Sequence, residues 1–150
     1  MAAFVTAGAG FLLAVLWFDL MFDVQVLRHS GPELPQDTLA SIRSYYRRVT
    51  TEARPMNLIV TAVMLGTLTA IMFEIARADE PAWVGWTSLA LAGSAIGLAA
   101  SHTFPAARRL GAARDSVDVQ TRLARSICRD HVLCLAAIAS LSAIQLAFAT

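Results

Sequence analysis

Four stretches of this chain are long and apolar enough to cross a lipid bilayer. They cover residues 4–27, 56–75, 82–100 and 130–150. A transmembrane helix needs about 20 apolar residues to cross the hydrocarbon core. None of the stretches alternates polar and apolar residues as a half-buried strand does. The sequence therefore predicts an all-α polytopic membrane protein, a four-helix bundle that forms a single transmembrane domain.

The composition excludes most other classes of protein. Hydrophobic residues make up 57% of the chain and charged residues 15%, whereas an average soluble domain is about one quarter charged. The net charge of +1 gives no attraction for a nucleic acid, so we expect the lipid bilayer to be the main partner. The first stretch lacks a basic start and is too long for a signal peptide, so we expect Met1 to begin the mature chain.

Arginines are concentrated in the connections 28–55 and 101–129. They are Arg28, Arg43, Arg47, Arg48 and Arg54 in the first connection, and Arg108, Arg109, Arg114, Arg122, Arg125 and Arg129 in the second. The turn between spans two and three has only Arg77, beside Asp79 and Glu80. By the positive-inside rule, both arginine-rich connections are cytoplasmic and both termini face outward, in a bacterial inner membrane.

The first connection contains an amphipathic pattern. Apolar residues recur at helical spacing over residues 37–53, at Leu39, Ile42, Tyr45, Tyr46 and Val49. This pattern predicts a helix on the cytoplasmic interface or a cytoplasmic extension of span two. Pro55 is expected to mark a kink where the chain enters the membrane.

The second connection is expected to contain helix as well. Pro105 and Gly111 punctuate it, and Asp115 or Ser116 is suited to cap a helix that continues into span four. Cys128 and Cys134 lie on different sides of that helix. We therefore expect two small core residues rather than a disulfide.

The most informative residues are two acids inside the first span, Asp19 and Asp23. Each carboxylate costs about 2.5–3.5 kcal/mol near the centre of a bilayer. Because they are four residues apart they share one face of the helix, and that face must point into the bundle.

Other polar residues fall at the same expected depth. They are His29, Glu52, Arg54, Asn57, His102, Asp130 and His131. One interpretation is a buried layer of ion pairs between the acids and Arg54, Asn57 or a protonated histidine. A second is a transition-metal site for iron or copper, and a third is a proton relay. The spacing of Cys128, His131 and Cys134 would also suit copper.

The functional interpretation assigns roles to particular residues. Metal ligands would be Asp19, Asp23, His102 and His131, or the acids and histidines would instead shuttle protons. Asn57 would join the two acids as a catalytic residue that hydrogen-bonds the substrate or a water. Histidines at separate helix ends could also supply haem ligands.

Several segments resemble the anthrone-oxygenase-like family of small four-span membrane proteins. They are residues 18–22, the entry from Tyr46-Arg47-Arg48 to Pro55-Met56-Asn57, the turn from Phe104-Pro105 to Arg109-Leu110, and residues 125–131. The resemblance covers most of the chain and implies a four-helix bundle. For a few members it implies oxygenation of an aromatic polyketide.

A second resemblance is to the haem-binding four-span protoporphyrinogen oxidase family. It is carried by the first-span pattern from Trp17-Phe18 to Leu27-Arg28-His29, and by Pro55 with Gly66. This resemblance implies that His29 binds haem.

These observations lead to three functional hypotheses. The first is a metal- or haem-dependent oxidoreductase or oxygenase that acts on a hydrophobic small molecule. The second is a non-catalytic subunit of a larger membrane complex or a homo-oligomeric scaffold. It is motivated by the small residues Gly93, Gly97 and Ser101, which let helices approach closely. The third is a small oligomeric transporter lined by Asp19 and Asp23.

Overall fold

The computed structural model describes residues 2–78 and 81–148, without the side chain of Arg54. Met1, Asp79, Glu80 and Thr150, which entered the sequence analysis, lie outside these ranges. The helices are α1 (Ala2–Asp23), α2 (Gln36–Arg47), α3 (Arg54–Arg77), α4 (Ala82–Leu98), α5 (Phe104–Ala112) and α6 (Val117–Phe148). The described residues form no strand.

Four helical segments are long and apolar enough to cross a membrane. They are Ala2–Arg28, Pro55–Arg77, Ala82–Ala112 and Val117–Phe148. Within the bundle, α6 packs against both α1 and α4, and α3 packs against the same two helices. The predicted all-α bundle of four spans is thus confirmed, and the protein is a multi-pass membrane protein.

The third span is longer than the sequence predicts. The π-helical turn Ala99–Thr103 joins α4 directly to α5, although Pro105 was expected to punctuate the chain. Proline removes the helical hydrogen bond to the residue four positions earlier, and its ring crowds that carbonyl. The wider turn just before Pro105 accommodates both effects. The last helix begins at Val117, directly after Ser116, as the capping pattern predicts.

The amphipathic helix of the first connection is α2. Leu39, Ile42 and Tyr46 are fully buried, and Tyr45 and Val49 are partly buried against the same core, so the predicted apolar face is confirmed. This face packs mainly against α5, with further contacts to α1 and α6. We call this region the α2–α5 end of the bundle.

A break separates α2 from the second span. The π-helical turn Arg48–Glu52 extends α2, and Ala53 then leaves the helical conformation with φ −90° and ψ 51°. Pro55 lies in the first turn of α3, where its missing N–H costs no helical hydrogen bond. The helix α2 is therefore a separate element rather than an extension of span two.

The bundle has an apolar core between the spans and an apolar outer surface that faces lipid. The core between the spans contains Val5, Leu12, Ile71, Ile138 and Leu141. Large apolar side chains on the outside are exposed, as the lipid-facing surface of a bundle must be. They include Phe4, Trp17, Phe18, Leu58, Leu65, Phe73, Trp86 and Leu146.

The cysteines are both free and buried, as expected for small core residues. The small-residue stripe faces away from the other helices. A Cβ atom added to Gly93 or Gly97 would meet nothing within 4 Å, and Ser101 is exposed. The stripe therefore does not form a contact within the described part of the chain.

Candidate acid–base site

The two acids of the first span point into the α2–α5 end of the bundle. Asp23, the last residue of α1, is 0% exposed, and Asp19 lies one helical turn earlier with 16% of its side chain exposed. Their positions agree with the prediction that the shared face of these acids is turned away from lipid.

Adjacent tyrosines of α2 hydrogen-bond these acids. The hydroxyl of Tyr45 donates to Asp19 Oδ1 at 2.6 Å, and the hydroxyl of Tyr46 donates to Asp23 Oδ1 at 2.6 Å. The ring of Tyr45 also stacks on Phe22, with centroids 4.0 Å apart. One helix therefore supplies both acids and another supplies a hydroxyl donor for each.

The imidazole of His131 lies between the two acids. Its Nδ1 is 2.6 Å from Asp23 Oδ2, and its Nε2 is 3.8 Å from Asp19 Oδ2. The ring is buried on the side of α6 that packs against α1. We call the five residues Asp19, Asp23, Tyr45, Tyr46 and His131 the acid–base site.

The tyrosines remain protonated over a wide pH range. Burial raises the pKa of Tyr45, and the neighbouring Asp19 carboxylate raises it further. Burial likewise raises the pKa of Tyr46 well above its usual value, and Asp23 adds to this effect. A phenolate beside a carboxylate would place two negative charges in a poorly solvated site. Both hydroxyls therefore act as hydrogen-bond donors.

A second polar cluster surrounds Asp130, which precedes His131 on α6. His102 Nδ1 lies 2.5 Å from Asp130 Oδ2, and Thr103 Oγ1 donates to the same oxygen at 3.2 Å. Arg129 lies 3.4 Å from the other carboxylate oxygen. Consecutive residues of α6 thus point to different neighbours, His131 to α1 and Asp130 to the turn between α4 and α5.

The sequence-predicted site residues lie in four places. Asp19, Asp23 and His131 come together, whereas His102 pairs with Asp130. Asn57 reaches the carbonyl of Thr50 at 3.5 Å, and His29 Nε2 lies 3.4 Å from Thr38 Oγ1. The suggested pairing with Arg54 concerns a side chain outside the described part of the structure.

The predicted metal ligands are not assembled into one group. Within residues 2–78 and 81–148, no three His, Cys, Asp or Glu side chains are placed so that they could hold a metal ion. The two nitrogens of His131 face different carboxylates, and one of them makes a hydrogen bond of 2.6 Å. These residues suit proton transfer better than shared metal coordination.

Polar residues also meet at the opposite end of the bundle. Gln145 Nε2 donates to Glu74 Oε2 at 3.1 Å and lies 3.0 Å from Ser88 Oγ. Along α6, Gln145 is about 21 Å from His131 at a rise of 1.5 Å per residue. This cluster is therefore separate from the acid–base site.

Sequence reasoning missed several of these participants. The sequence pattern assigns Tyr45 and Tyr46 to the apolar face of α2 and gives no sign that their hydroxyls bind the acids. Gln145 and Ser88 are uncharged, so the cost of burying a charge does not mark them as polar core residues. A usable signal is present, because the chain has two tyrosines and they lie side by side on the helix predicted at the cytoplasmic interface, next to the end of the span that contains the acids.

Comparison with known proteins gives no match. No family model, curated protein or solved structure matches this chain.

Proposed function

We propose that this protein is a membrane oxidoreductase or oxygenase-like enzyme whose acid–base site exchanges protons with a lipid-soluble substrate. A quinone or an aromatic compound would be a suitable substrate class. The observation that carries this proposal is the position of His131, with a carboxylate facing each of its two ring nitrogens.

A proton taken from the substrate could reside on Asp19 or on His131. Asp19 is the more exposed acid and would accept a proton from the substrate, while Tyr45 holds its other oxygen in place. His131 would take up that proton on the Asp19 side and share a proton with Asp23 on the other. A purely structural ion pair would require only one of these acids, and each buried carboxylate is costly.

The substrate class follows from the surroundings of Asp19. Phe22 and Tyr45 form a stacked aromatic pair beside the acid, and 16% of the Asp19 side chain is exposed. A flat apolar molecule from the bilayer would reach the exposed edge of Asp19 beside this aromatic pair. Proton abstraction from an acidic C–H bond of an aromatic compound, or from an O–H bond of a quinol, is the step that the chain's own groups would supply, and dissolved dioxygen would take the electrons from the resulting anion.

The proposed orientation places the acid–base site near the cytoplasmic face of a bacterial inner membrane. The arginine-rich connections include α2 and α5, and these helices pack together at one end of the bundle. Their common location supports a cytoplasmic α2–α5 end, with both termini on the other side.

The resemblance to the anthrone-oxygenase-like family is part of this proposal. An anthrone is a lipid-soluble aromatic with an acidic C–H bond, which is the chemistry that a base at Asp19 would serve. Haem ligation by His29 and a bound transition metal stay predictions, and the proposed proton transfer uses neither.

Activity of the reconstituted protein tests the proposal. Protein in lipid nanodiscs is given a hydroxyanthrone or a short-chain benzoquinol under air, and the oxidised product is followed by absorbance. We expect turnover of at least one probe. Asp19→Asn and His131→Gln should each lower kcat by about 100-fold or more, because general acid–base catalysis contributes about 10²–10⁴-fold.

The control is Asp115→Asn, which removes the charge of a half-buried acid that pairs with Arg109 outside the site, and it should keep the wild-type rate. Iron, copper and haem are quantified in each preparation. Equal rates in Asp19→Asn and wild type, or a rate that follows metal or haem content instead of the acid–base residues, would contradict the proposal.

A non-catalytic or oligomeric role is the second candidate. It is favoured by the stripe of Gly93, Gly97 and Ser101, because a Cβ atom added to either glycine would meet nothing within 4 Å and Ser101 is exposed. The absence of turnover with both probes would favour this role.

A further inference from the structure

A groove opens on the surface between the turn after α1 and the middle of α6. Its volume is about 540 Å³. Its lining includes Leu27, Ser30, Arg125, Arg129, Val132 and Leu133. The acid–base site contributes no residue to this lining, so the groove is a distinct feature.

Positive charge and apolar surface are separated along the groove. Arg125, Arg129 and Leu133 follow one another at intervals of four residues, so they lie along one face of α6 over about 12 Å. Two guanidinium groups therefore line the half nearer the α2–α5 end. Val132 and Leu133 lie one helical turn beyond Arg129, further into the span, and Leu27 (71% exposed) adds an apolar side chain from the turn after α1.

Arg125 and Arg129 have few negatively charged groups in direct contact with their guanidinium groups. Arg125 donates to the carbonyl oxygens of His29 at 3.1 Å and Gly31 at 2.5 Å, which are neutral partners. Arg129 lies 3.4 Å from one carboxylate oxygen of Asp130, and 70% of its side chain is exposed. Asp130 is in turn shared with His102 and Thr103.

We propose that this groove binds the headgroup and upper acyl chain of an anionic phospholipid. The phosphate would lie between Arg125 and Arg129, with the hydroxyl of Ser30 available as a further donor. The acyl chain would lie along Leu27, Val132 and Leu133. Basic pockets between transmembrane helices recognise anionic headgroups in this way.

The apolar half of the groove favours a lipid over a free anion. Inorganic phosphate would use the arginines but leave Leu27, Val132 and Leu133 uncovered. A phospholipid covers both halves, and its headgroup sits at the depth where its chains can run into the bilayer. This inference stands apart from the proposed enzymatic function.

Lipid binding to purified protein tests the inference. The intact protein in detergent micelles is titrated with phosphatidylglycerol or with phosphatidylcholine, and bound lipid is counted by native mass spectrometry. We expect wild type to retain phosphatidylglycerol preferentially. Arg129→Gln should weaken that binding about five-fold, the usual effect of one basic residue at a lipid surface.

A matched control lies one helical turn from the groove. Arg122 pairs with Asp118 at 2.9 Å and does not line the groove, so Arg122→Gln removes the same charge and should leave binding unchanged. Arg125 also hydrogen-bonds the backbone of the turn after α1, so its removal could disturb the fold. The second variant is therefore Arg125→Lys, which keeps the positive charge. It should bind lipid more tightly than Arg125→Gln.

The apolar half is tested by Leu133→Asn, which should also weaken phosphatidylglycerol binding. Equal binding of the two lipids, or equal effects of Arg129→Gln and Arg122→Gln, would overturn the inference. Displacement of phosphatidylglycerol by millimolar inorganic phosphate, with no effect of Leu133→Asn, would also overturn it, because the groove would then recognise the anion alone.

Discussion

Replacement of Asp23 by alanine should lower the free energy of unfolding by about 3–5 kcal/mol, the usual cost of removing one partner from a buried charged pair. Asp23 is fully buried and accepts from Tyr46, while its second oxygen meets His131. Its loss leaves a phenol hydroxyl and an imidazole nitrogen without partners in a dry site. Reversible unfolding by SDS in mixed micelles, followed by circular dichroism, measures the change.

A surface acid provides the matched comparison. Asp115→Ala removes a partly exposed ion pair with Arg109 and should change stability by less than about 1 kcal/mol. Adding Tyr46→Phe to Asp23→Ala should restore part of the lost stability, because the phenol hydroxyl no longer needs a partner. A loss for Asp23→Ala no larger than that for Asp115→Ala would show that Asp23 does not hold these elements together.

Substitution of Gly111 should dislodge the α2 helix. A Cβ atom at this position would lie 2.8 Å from the backbone nitrogen of Arg47 and 3.0 Å from its Cα. Backbone atoms of a neighbouring helix cannot rotate aside as a side chain does, so α2 and α5 must separate. We expect Gly111→Ala to destabilise the protein by about 1–3 kcal/mol, the usual cost of overpacking.

A glycine-to-alanine substitution at an open position should instead raise the free energy of unfolding. Gly97 also lies in a helix, and its added Cβ would meet nothing within 4 Å. Gly97→Ala should stabilise the protein by up to about 1 kcal/mol, through helix propensity alone. SDS unfolding and limited proteolysis near α2 would report both changes. Equal effects of the two substitutions would contradict the close contact between α2 and α5.

The features of this fold that the sequence predicts correctly depend on residues close together along the chain. The length and hydropathy of each span suffice to identify four helices, because a bilayer requires both. The inward direction of Asp19 and Asp23 follows from their spacing and from the cost of a carboxylate in lipid. The apolar face of α2 follows in the same way from its helical period.

The pairings within the site depend on how helices far apart in sequence pack together. His102 and His131 are both histidines near a span end, yet one meets Asp130 and the other meets the acids of α1. That choice is decided by which side of α6 each neighbouring helix occupies. The role of Tyr46 likewise depends on α2 folding back over α1, which no local pattern specifies.

The end of the third span was predicted wrongly for a different reason. Pro105 suggests a break, but the π-helical turn before it lets the helix continue to Ala112. Proline signals a missing hydrogen bond, and it does not specify whether the helix ends or widens in response. The end of a span is therefore less predictable than its centre.

The central claim is that the carboxylates of Asp19 and Asp23 meet the tyrosines of α2 inside the protein. The absorbance of tyrosinate tests it directly, because Tyr45 and Tyr46 are the only tyrosines in the chain. Their pKa values are raised by burial and by the two acids. The unfolded chain therefore loses these protons first, and stability should fall as the pH rises above about 10, the pKa of an unperturbed tyrosine.

The measurement is an alkaline titration of the folded protein, of Asp23→Asn and of the control Asp115→Asn. We expect almost no tyrosinate in folded wild type near pH 10, where an ordinary tyrosine is half ionised. Tyrosinate should form at lower pH in Asp23→Asn than in wild type, and Asp115→Asn should match wild type. Ionisation of both tyrosines near pH 10, unchanged by Asp23→Asn, would contradict the account.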